Sequence, residues 1–304
     1  MSDVERGDLS RRGNGFGARL HGAMGQFGPL CVGIDPHPHL LAEAGLPDSP
    51  NGLERFSQTI LEAVGGQVAA VKPQSAFFER HGSAGIAVLE RVLADAASAD
   101  TLTILDVKRG DIGSTMTAYA QAYLLDGAPL AADAITVSPY LGYEALRPCI
   151  DLARTHGRGV FVLALTSNPE GASVQQQGEP SVAAHIIAQA GEDNAPSADR
   201  AGQGGGFASA RIPGHVGLVI GATRADALTS LGLLEPLRHS GAIVLAPGVG
   251  AQGATPADVA AAFAGHTAYV LAPVSRGVLA QGLSVTAIRS ASATLGVALG
   301  EALR

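Results

Sequence analysis

Short apolar segments alternate with longer amphipathic segments along most of the chain, beginning at residue 30. The apolar segments are rich in β-branched residues and cover residues 30–35, 68–74, 102–108, 134–139, 159–167, 216–223, 242–248 and 268–273. Strands that are covered on both faces have this composition. Apolar positions three to four residues apart predict helices between them, as in residues 85–97, 115–125 and 256–264. Eight such rounds predict an α/β protein built as a closed parallel (β/α)8 TIM barrel.

An open, doubly wound parallel sheet is the alternative architecture for the same alternation. A dinucleotide-binding sheet of that kind carries a G-x-G-x-x-G motif after its first strand. Residues 35–40, which follow the first predicted strand, read DPHPHL and lack that motif. The closed barrel is therefore favoured over the open sheet.

The pattern predicts one barrel domain over residues 30–304, preceded by a short helix or arm at residues 1–29. That arm is polar and lacks the apolar core of a secretory signal. An insertion at about residues 168–214 separates the fifth and sixth strands and contains a predicted helix at residues 181–190. Residues 168–180 are expected to form a lid over the active-site face. Residues 191–214 are expected on the opposite face, so deleting part of 202–209 should leave turnover largely intact.

Polar side chains follow nearly every predicted strand. Because active sites of such barrels lie at the carboxyl ends of the strands, these residues form the candidate site. In chain order they are Asp35, Lys72, Asp106, Lys108, Asp111, Ser138, Thr166, Ser167, the turn 248–253 and Arg276.

The third strand carries the densest charge, in the segment LDVKRGDIGST at residues 105–115. Side chains alternate along a strand, so Asp106 and Lys108 should point the same way, with Asp111 beyond Gly110. Two carboxylates then bracket one ammonium group. Lys72 and Lys108 are the only lysines among 20 lysines and arginines, which suggests that each is needed as a compact charge or a proton donor. Ordinary salt bridges are the structural alternative.

A glycine-rich turn after the seventh strand and an arginine after the eighth predict a phosphate site. Backbone N–H groups of Gly248 and Gly250 could approach a phosphate closely, and Arg276 could clamp it. Gln252 could add a side-chain amide. A turn that is merely tight is the alternative.

The composition excludes several classes of function. The 304 residues are 46% hydrophobic with a formal charge of −7, which argues against nucleic-acid binding. No apolar stretch approaches the ~20 residues of a membrane span. Two cysteines do not suggest a disulfide framework, and prolines around His37 and His39 favour a rigid loop over a metal site. We expect no metal and a cytoplasmic location.

Six segments in order resemble the orotidine 5′-monophosphate decarboxylase family. LDVKRGDIGST resembles its D-x-K-x-x-D signature, and the others are CVGIDPHP, AVKPQSAFFE, LALTSNPEG, APGVGAQG and VSRGV. SPYLG after the fourth strand is similar to the longer bacterial branch. The resemblance covers about residues 30–279. It implies decarboxylation of orotidine 5′-monophosphate to uridine 5′-monophosphate (UMP) and CO2, the last step of de novo pyrimidine nucleotide synthesis, with no cofactor.

The resemblance also implies roles for the charged residues. Lys108 would protonate C6 of the pyrimidine, flanked by Asp106 and by Asp111 from the partner subunit of a homodimer. Thr115, beside Ile112, would line the partner's site in the same way.

The remaining site residues would bind the nucleotide. Asp35 and Lys72 would hold the ribose hydroxyls, Thr166 and Ser167 would meet the base, and Gln252 and Arg276 would bind the phosphate. Gly248, Gly250 and Ser275 would border the phosphate.

Three other interpretations stay open. Related sugar-phosphate decarboxylases, such as 3-keto-gulonate 6-phosphate decarboxylase, share the signature but bind magnesium. Lys72 stands at the end of the second strand, where such an enzyme needs a carboxylate to bind the metal, which favours the metal-free nucleotide enzyme. A Schiff-base aldolase needs a lysine whose neutral form is favoured, and flanking aspartates do the opposite. A catalytically silent nucleotide-binding barrel is the third.

Overall fold

Eight parallel strands form the sheet of the computed structural model, which describes residues 15–195, 212–250 and 253–304. The strands are β1 (Leu30–Ile34), β2 (Ala70–Pro73), β3 (Ile104–Arg109), β4 (Ala134–Val137), β5 (Gly159–Leu165), β6 (Val216–Ile220), β7 (Val244–Leu245) and β8 (Val270–Val274). Each overlaps a predicted segment and most are shorter at one or both ends. The sheet order β2-β1-β8-β7-β6-β5-β4-β3 runs around a barrel, which confirms the (β/α)8 prediction.

The barrel closes where β2 meets β3. Val71 pairs with Thr103 and Gln74 with Asp106 as isolated parallel bridges, not as a continuous ladder. The backbone N–H of Val71 donates to Leu102 O at 2.8 Å, and that of Ser75 donates to Asp106 O at 3.2 Å. The first and last strands of the sheet order are thereby joined.

Helices lie between successive strands and cover the outside of the barrel, with one further helix before β1 and two after β8 among the described residues. They are α1 (Gly15–Phe27), α2 (Pro38–Glu43), α3 (Pro50–Val64), α4 (Ala76–Glu79), α5 (Gly82–Ser98), α6 (Gly113–Leu124), α7 (Arg147–Thr155), α8 (Ala172–Gln175), α9 (Val182–Asp193), α10 (Ala225–Ser230), α11 (Leu234–His239), α12 (Pro256–Ala262), α13 (Arg276–Leu279) and α14 (Val285–Ala302). Across the described part of the chain, no helix is both long and apolar enough to cross a bilayer. Gln252 and residues 202–209 lie outside the described residues.

Helix α1 packs across the amino-terminal end of the barrel. Its Phe16, Leu20 and Met24 are buried in one apolar cluster with inward-facing residues of the strands. The Phe16 ring meets Phe161 of β5 edge-to-face, with the ring centroids 6.0 Å apart. The lower part of the barrel interior is therefore a packed apolar core.

Inward-facing positions change from apolar to polar toward the carboxyl end of three neighbouring strands. On β3, the buried Ile104 is followed two residues later by Asp106, and on β2 Ala70 is followed by Lys72. On β4, Ala134 is followed by Thr136. Because side chains two residues apart share a face, these polar groups meet above the apolar core.

Candidate active site

Strand β3 is irregular at its carboxyl end. Leu105 pairs with Ile135 of β4, but the next pair is Arg109 with Val137. Between these two pairs β3 advances by four residues while β4 advances by two. Such bulges bend a strand and redirect its side chains, and they are common beside active sites. Within this bulge Lys108 has φ of 46°, a left-handed conformation that is unusual for a residue with a Cβ.

The Asp106 carboxylate is the centre of a buried hydrogen-bond network. Its Oδ2 accepts from Lys72 Nζ at 2.7 Å and from Gln74 Nε2 at 2.9 Å. Its Oδ1 accepts from Lys108 Nζ at 2.5 Å and from Thr136 Oγ1 at 2.8 Å. Four donors thus fix one carboxylate that is only 6% exposed.

Charge in this network is strongly coupled. Burial alone would raise the pKa of Asp106, but the ammonium groups of Lys72 and Lys108 outweigh burial and hold that pKa well below its usual range. Burial would lower the pKa of Lys72, but Asp106, and then Asp35, raise it above its ordinary value. Asp106 and Lys72 are therefore both ionised at neutral pH.

A cavity of about 160 Å³ opens beside Lys72 at the carboxyl end of the barrel. Its walls are the ends of β1, β2, β7 and β8, which supply Asp35, Lys72, Gly248, Ser275 and Arg276, among others. Asp35 Oδ1 and Ser275 Oγ are buried there without a hydrogen-bond partner. Burying a polar atom without a hydrogen-bond partner costs free energy, so such atoms are expected where a polar ligand binds.

The loop after β7 has the backbone that a close approach to an anion requires. Gly248 has φ of 126° and Gly250 has φ of 73°, conformations that favour glycine. Arg276 begins α13 and is exposed. The structure thus brings Gly248, Ser275 and Arg276 to one cavity wall, while Gly250 is exposed on the same loop.

Asp111 forms a local hydrogen bond and does not pair with Lys108 of its own chain. Its Oδ1 accepts from the backbone N–H of Ile112 at 2.8 Å, and no ion pair joins its carboxylate to Lys108. Ile112 is 62% exposed and Thr115 is exposed on the first turn of α6. One chain therefore brings Asp106 and Lys108 together, while Asp111 makes no ion pair with Lys108 and Ile112 and Thr115 are exposed.

Thr166 and Ser167 follow β5 and are held by a local network. Gln175 Oε1 of α8 accepts from Thr166 N at 2.8 Å, and Arg224 Nε donates to Thr166 O at 2.9 Å. Arg224 also donates to Ser167 O. These contacts fix the backbone at the start of the segment 168–180.

Sequence reasoning missed three residues at the site. Gln74 and Thr136 donate hydrogen bonds to Asp106. His37 lines the cavity, and its ring centroid lies 4.2 Å from that of Phe77. The alternation Ala134–Thr136 on β4 was an available signal for Thr136. Throughout the described ranges, His, Cys, Asp and Glu side chains form no group of three that could hold a metal.

Comparison with known proteins identifies the family of this chain. The sequence profile of the orotidine 5′-phosphate decarboxylase / HUMPS family matches residues 28–291. Orotidine 5′-phosphate decarboxylases of Streptomyces coelicolor and Salinispora arenicola are each 52% identical over 281 residues, 91% of this chain and 94% of theirs. A Streptomyces avermitilis crystal structure of that name aligns with a TM-score of 0.86 at 49% identity, covering 95% of this chain and 96% of the other. The chain belongs to the orotidine 5′-phosphate decarboxylase / HUMPS family.

Proposed function

We propose that Lys108 is the proton donor in the reaction of this enzyme. The protein is a carboxy-lyase that decarboxylates orotidine 5′-monophosphate to UMP in pyrimidine nucleotide synthesis. One observation carries the proposal. The Lys108 side chain is 47% exposed at the mouth of the barrel, while its ammonium is tied to the buried Asp106 at 2.5 Å. The lysine is held from below and open to substrate from above.

The reaction needs a fixed positive charge at the pyrimidine ring. Cleavage of the bond between C6 and the carboxylate releases CO2 and leaves an electron pair on C6, in the plane of the ring. An ammonium group placed there stabilises the developing charge without having to reorganise. A proton from Lys108 Nζ then forms the new C–H bond at C6, and the neutral amine regains a proton from solvent. Asp106 orients Lys108 throughout.

Nucleotide binding is assigned to the cavity beside Lys72. Asp35 Oδ1, buried and unpartnered, is proposed to accept a hydrogen bond from a ribose hydroxyl, with Lys72 beside it. Gly248, Ser275 and Arg276 are proposed to bind the phosphate. Replacing Arg276 with alanine should weaken inhibition by UMP at least about tenfold and leave inhibition by uridine unchanged, because only UMP carries the phosphate. Equal loss for both inhibitors would count against this assignment.

The base and the partner subunit complete the proposed site. Thr166 and Ser167 are proposed to contact the pyrimidine, and Gly250 and Gln252 are proposed to contact the phosphate.

We propose a homodimer in which Asp111 and Thr115, with Ile112 beside them, reach the partner's site. Asp111 does not pair with Lys108 of its own chain. Ile112, Tyr140 and Leu141 are 62%, 78% and 54% exposed after β3 and β4, and exposed apolar side chains of this size are suited to contact with a second copy. A cytoplasmic location is proposed because the substrate and product are charged nucleotides.

The test of Lys108 uses the change in ultraviolet absorbance of orotidine 5′-monophosphate, measured with EDTA present. The wild-type protein should turn the substrate over, while Lys108→Ala and Lys108→Arg should both lose more than about 10³-fold in kcat. Lys108→Arg is the informative control, since guanidinium keeps the charge but does not give up its proton. Substantial turnover by Lys108→Arg would refute proton donation by Lys108.

The shared site is tested by mixing inactive variants. Lys108→Ala and Asp111→Ala, refolded together, should recover activity up to about a quarter of the wild-type level, because half of the dimers are mixed and each has one intact site. Lys108→Ala mixed with Asp106→Ala is the control, since Asp106 and Lys108 meet within one chain. No recovery in the first mixture, from dimers shown to exchange subunits, would contradict the shared site.

A further inference from the structure

Thr136 occupies the point where β4 faces the bulge of β3. The residue is only 1% exposed, so its hydroxyl has no contact with bulk water. Thr136 Oγ1 lies 2.8 Å from Asp106 Oδ1 and 3.0 Å from the backbone N of Lys108. One hydroxyl therefore joins the side chain of Asp106 to the backbone of Lys108.

The chemistry of the two partners fixes the direction of both hydrogen bonds. An ionised carboxylate can only accept, so the single hydroxyl proton of Thr136 goes to Asp106. The lone pairs of Oγ1 are then free to accept the N–H of Lys108. Serine could make the same two bonds, while valine, which has nearly the same shape, could make neither.

The backbone bond acts on a residue in a disfavoured conformation. In a regular parallel ladder the N–H of Lys108 would donate to a strand carbonyl, but the bulge between Leu105 and Arg109 breaks the ladder. Lys108 also has φ of 46°, which a lysine adopts only when its surroundings hold it there. The Thr136 hydroxyl supplies an acceptor at this position.

We propose that Thr136 is a positioning residue for the decarboxylation. Its hydroxyl holds the left-handed backbone of Lys108 and one oxygen of Asp106, and so sets where the Lys108 ammonium lies relative to C6. The inference rests on the proposed role of Lys108 as proton donor. Thr136 itself lies below the mouth of the barrel and is not assigned a contact with substrate.

Steady-state kinetics of Thr136→Val and Thr136→Ser test the inference. Thr136→Val should lower kcat about 10- to 100-fold, the rate equivalent of a hydrogen bond to a charged group. The KM for orotidine 5′-monophosphate and the inhibition constant of UMP should change less than about threefold, since the cavity that binds the nucleotide is untouched. Thr136→Ser should keep kcat within about threefold of wild type, because its hydroxyl remains.

Thr103 provides a matched control near the start of β3. It is 3% exposed, its Oγ1 lies 3.2 Å from Asp133 Oδ2, and it accepts from the backbone N–H of Asp133 at 3.1 Å. Thr103→Val therefore removes the same kind of double hydrogen bond, but at the end of the barrel away from Lys108. Its kcat should stay at the wild-type level even if its melting temperature falls.

Each result bears on the inference in a defined way. Wild-type kcat in Thr136→Val, or an equal loss in Thr103→Val, would overturn it. Should Thr136→Val fail to fold, Thr136→Ala and Thr136→Ser replace it, since these variants differ only in the hydroxyl; equal kcat values would then refute the proposal. Lys108→Ala is assayed alongside. Retained turnover there would mean that the role of Lys108 is wrong, whereas loss there with full activity in Thr136→Val would reject Thr136 alone.

Discussion

Lys72 and Lys108 share one carboxylate, yet their removal should affect the protein in different ways. Lys72 Nζ binds Asp106 Oδ2 and its side chain is 10% exposed, while Lys108 Nζ binds Oδ1 and is 47% exposed. Changing either lysine to methionine removes the charge and keeps most of the length. Only in Lys72→Met does the substitution break an ion pair in which both side chains are buried.

The expected magnitudes follow from that burial. Removing one partner of a buried pair costs about 3–5 kcal/mol of unfolding free energy. Asp106 keeps Gln74, Lys108 and Thr136 as donors, so we expect the lower end, about 3 kcal/mol, for Lys72→Met. An ion pair with one partner half in water contributes about 0–1 kcal/mol, so Lys108→Met should have nearly wild-type stability while turnover is lost.

Urea unfolding at pH 7, followed by far-ultraviolet circular dichroism, measures the difference. At a slope of about 3 kcal/mol per molar urea, the midpoint of Lys72→Met should fall by about 1 M and that of Lys108→Met by less than about 0.3 M. Tyrosine fluorescence should give the same midpoints if unfolding is two-state. Equal midpoint shifts for the two variants would falsify the reasoning, because burial would then not decide the contribution of each pair.

Three further outcomes are expected. The pKa of Asp106 is depressed in the folded protein, so its carboxylate stabilises the fold above its unfolded pKa of about 3.9 and loses that contribution as the pH falls further. The stability gap between wild type and Asp106→Asn should therefore be full at pH 6 and shrink below about pH 4, as urea titrations at each pH would reveal. In Gly33→Ala the new Cβ would lie 2.8 Å from Ser275 Cβ, so Ser275 must shift at the cavity wall and kcat/KM should fall about tenfold. Unchanged kinetics would show that Ser275 can shift without affecting the reaction. Ile112→Asp should shift the protein toward monomers in sedimentation velocity and lower activity at low protein concentration, and an unaltered dimer would remove Ile112 from the interface.

The sequence predicted the barrel well because its strands are buried on both faces and contrast sharply with the polar turns. The sequence also predicted that Asp106 and Lys108 lie together and they do, but the irregular end of β3 and not regular alternation sets that contact. The parallel arrangement of the strands places Lys72 beside Asp106. The barrel itself depends only on local patterning and on the parallel arrangement of strands.

The bulge in β3 was beyond sequence reasoning for a physical reason. A left-handed conformation is signalled by glycine or asparagine, and here it falls on Lys108, which has no such preference. Thr136 was missed because threonine is an ordinary strand residue, whose hydroxyl matters only once the bulge places a free N–H opposite it. Asp111 makes no ion pair with Lys108 of its own chain, so alternation along one strand could not show what its carboxylate contacts.

The closure between β2 and β3 gives the charges of the proposed site a second role. Few backbone hydrogen bonds join these strands, and Lys72 and Gln74 on one side reach Asp106 on the other. The proposed catalytic network therefore also joins β2 to β3 at the point where the barrel closes. Hydrogen exchange of backbone amides should show that the junction of β2 and β3 is among the first parts of the sheet to open. Substrate that binds the network should slow exchange at this junction. The charges of the proposed site therefore take up their arrangement only when β2 and β3 are joined.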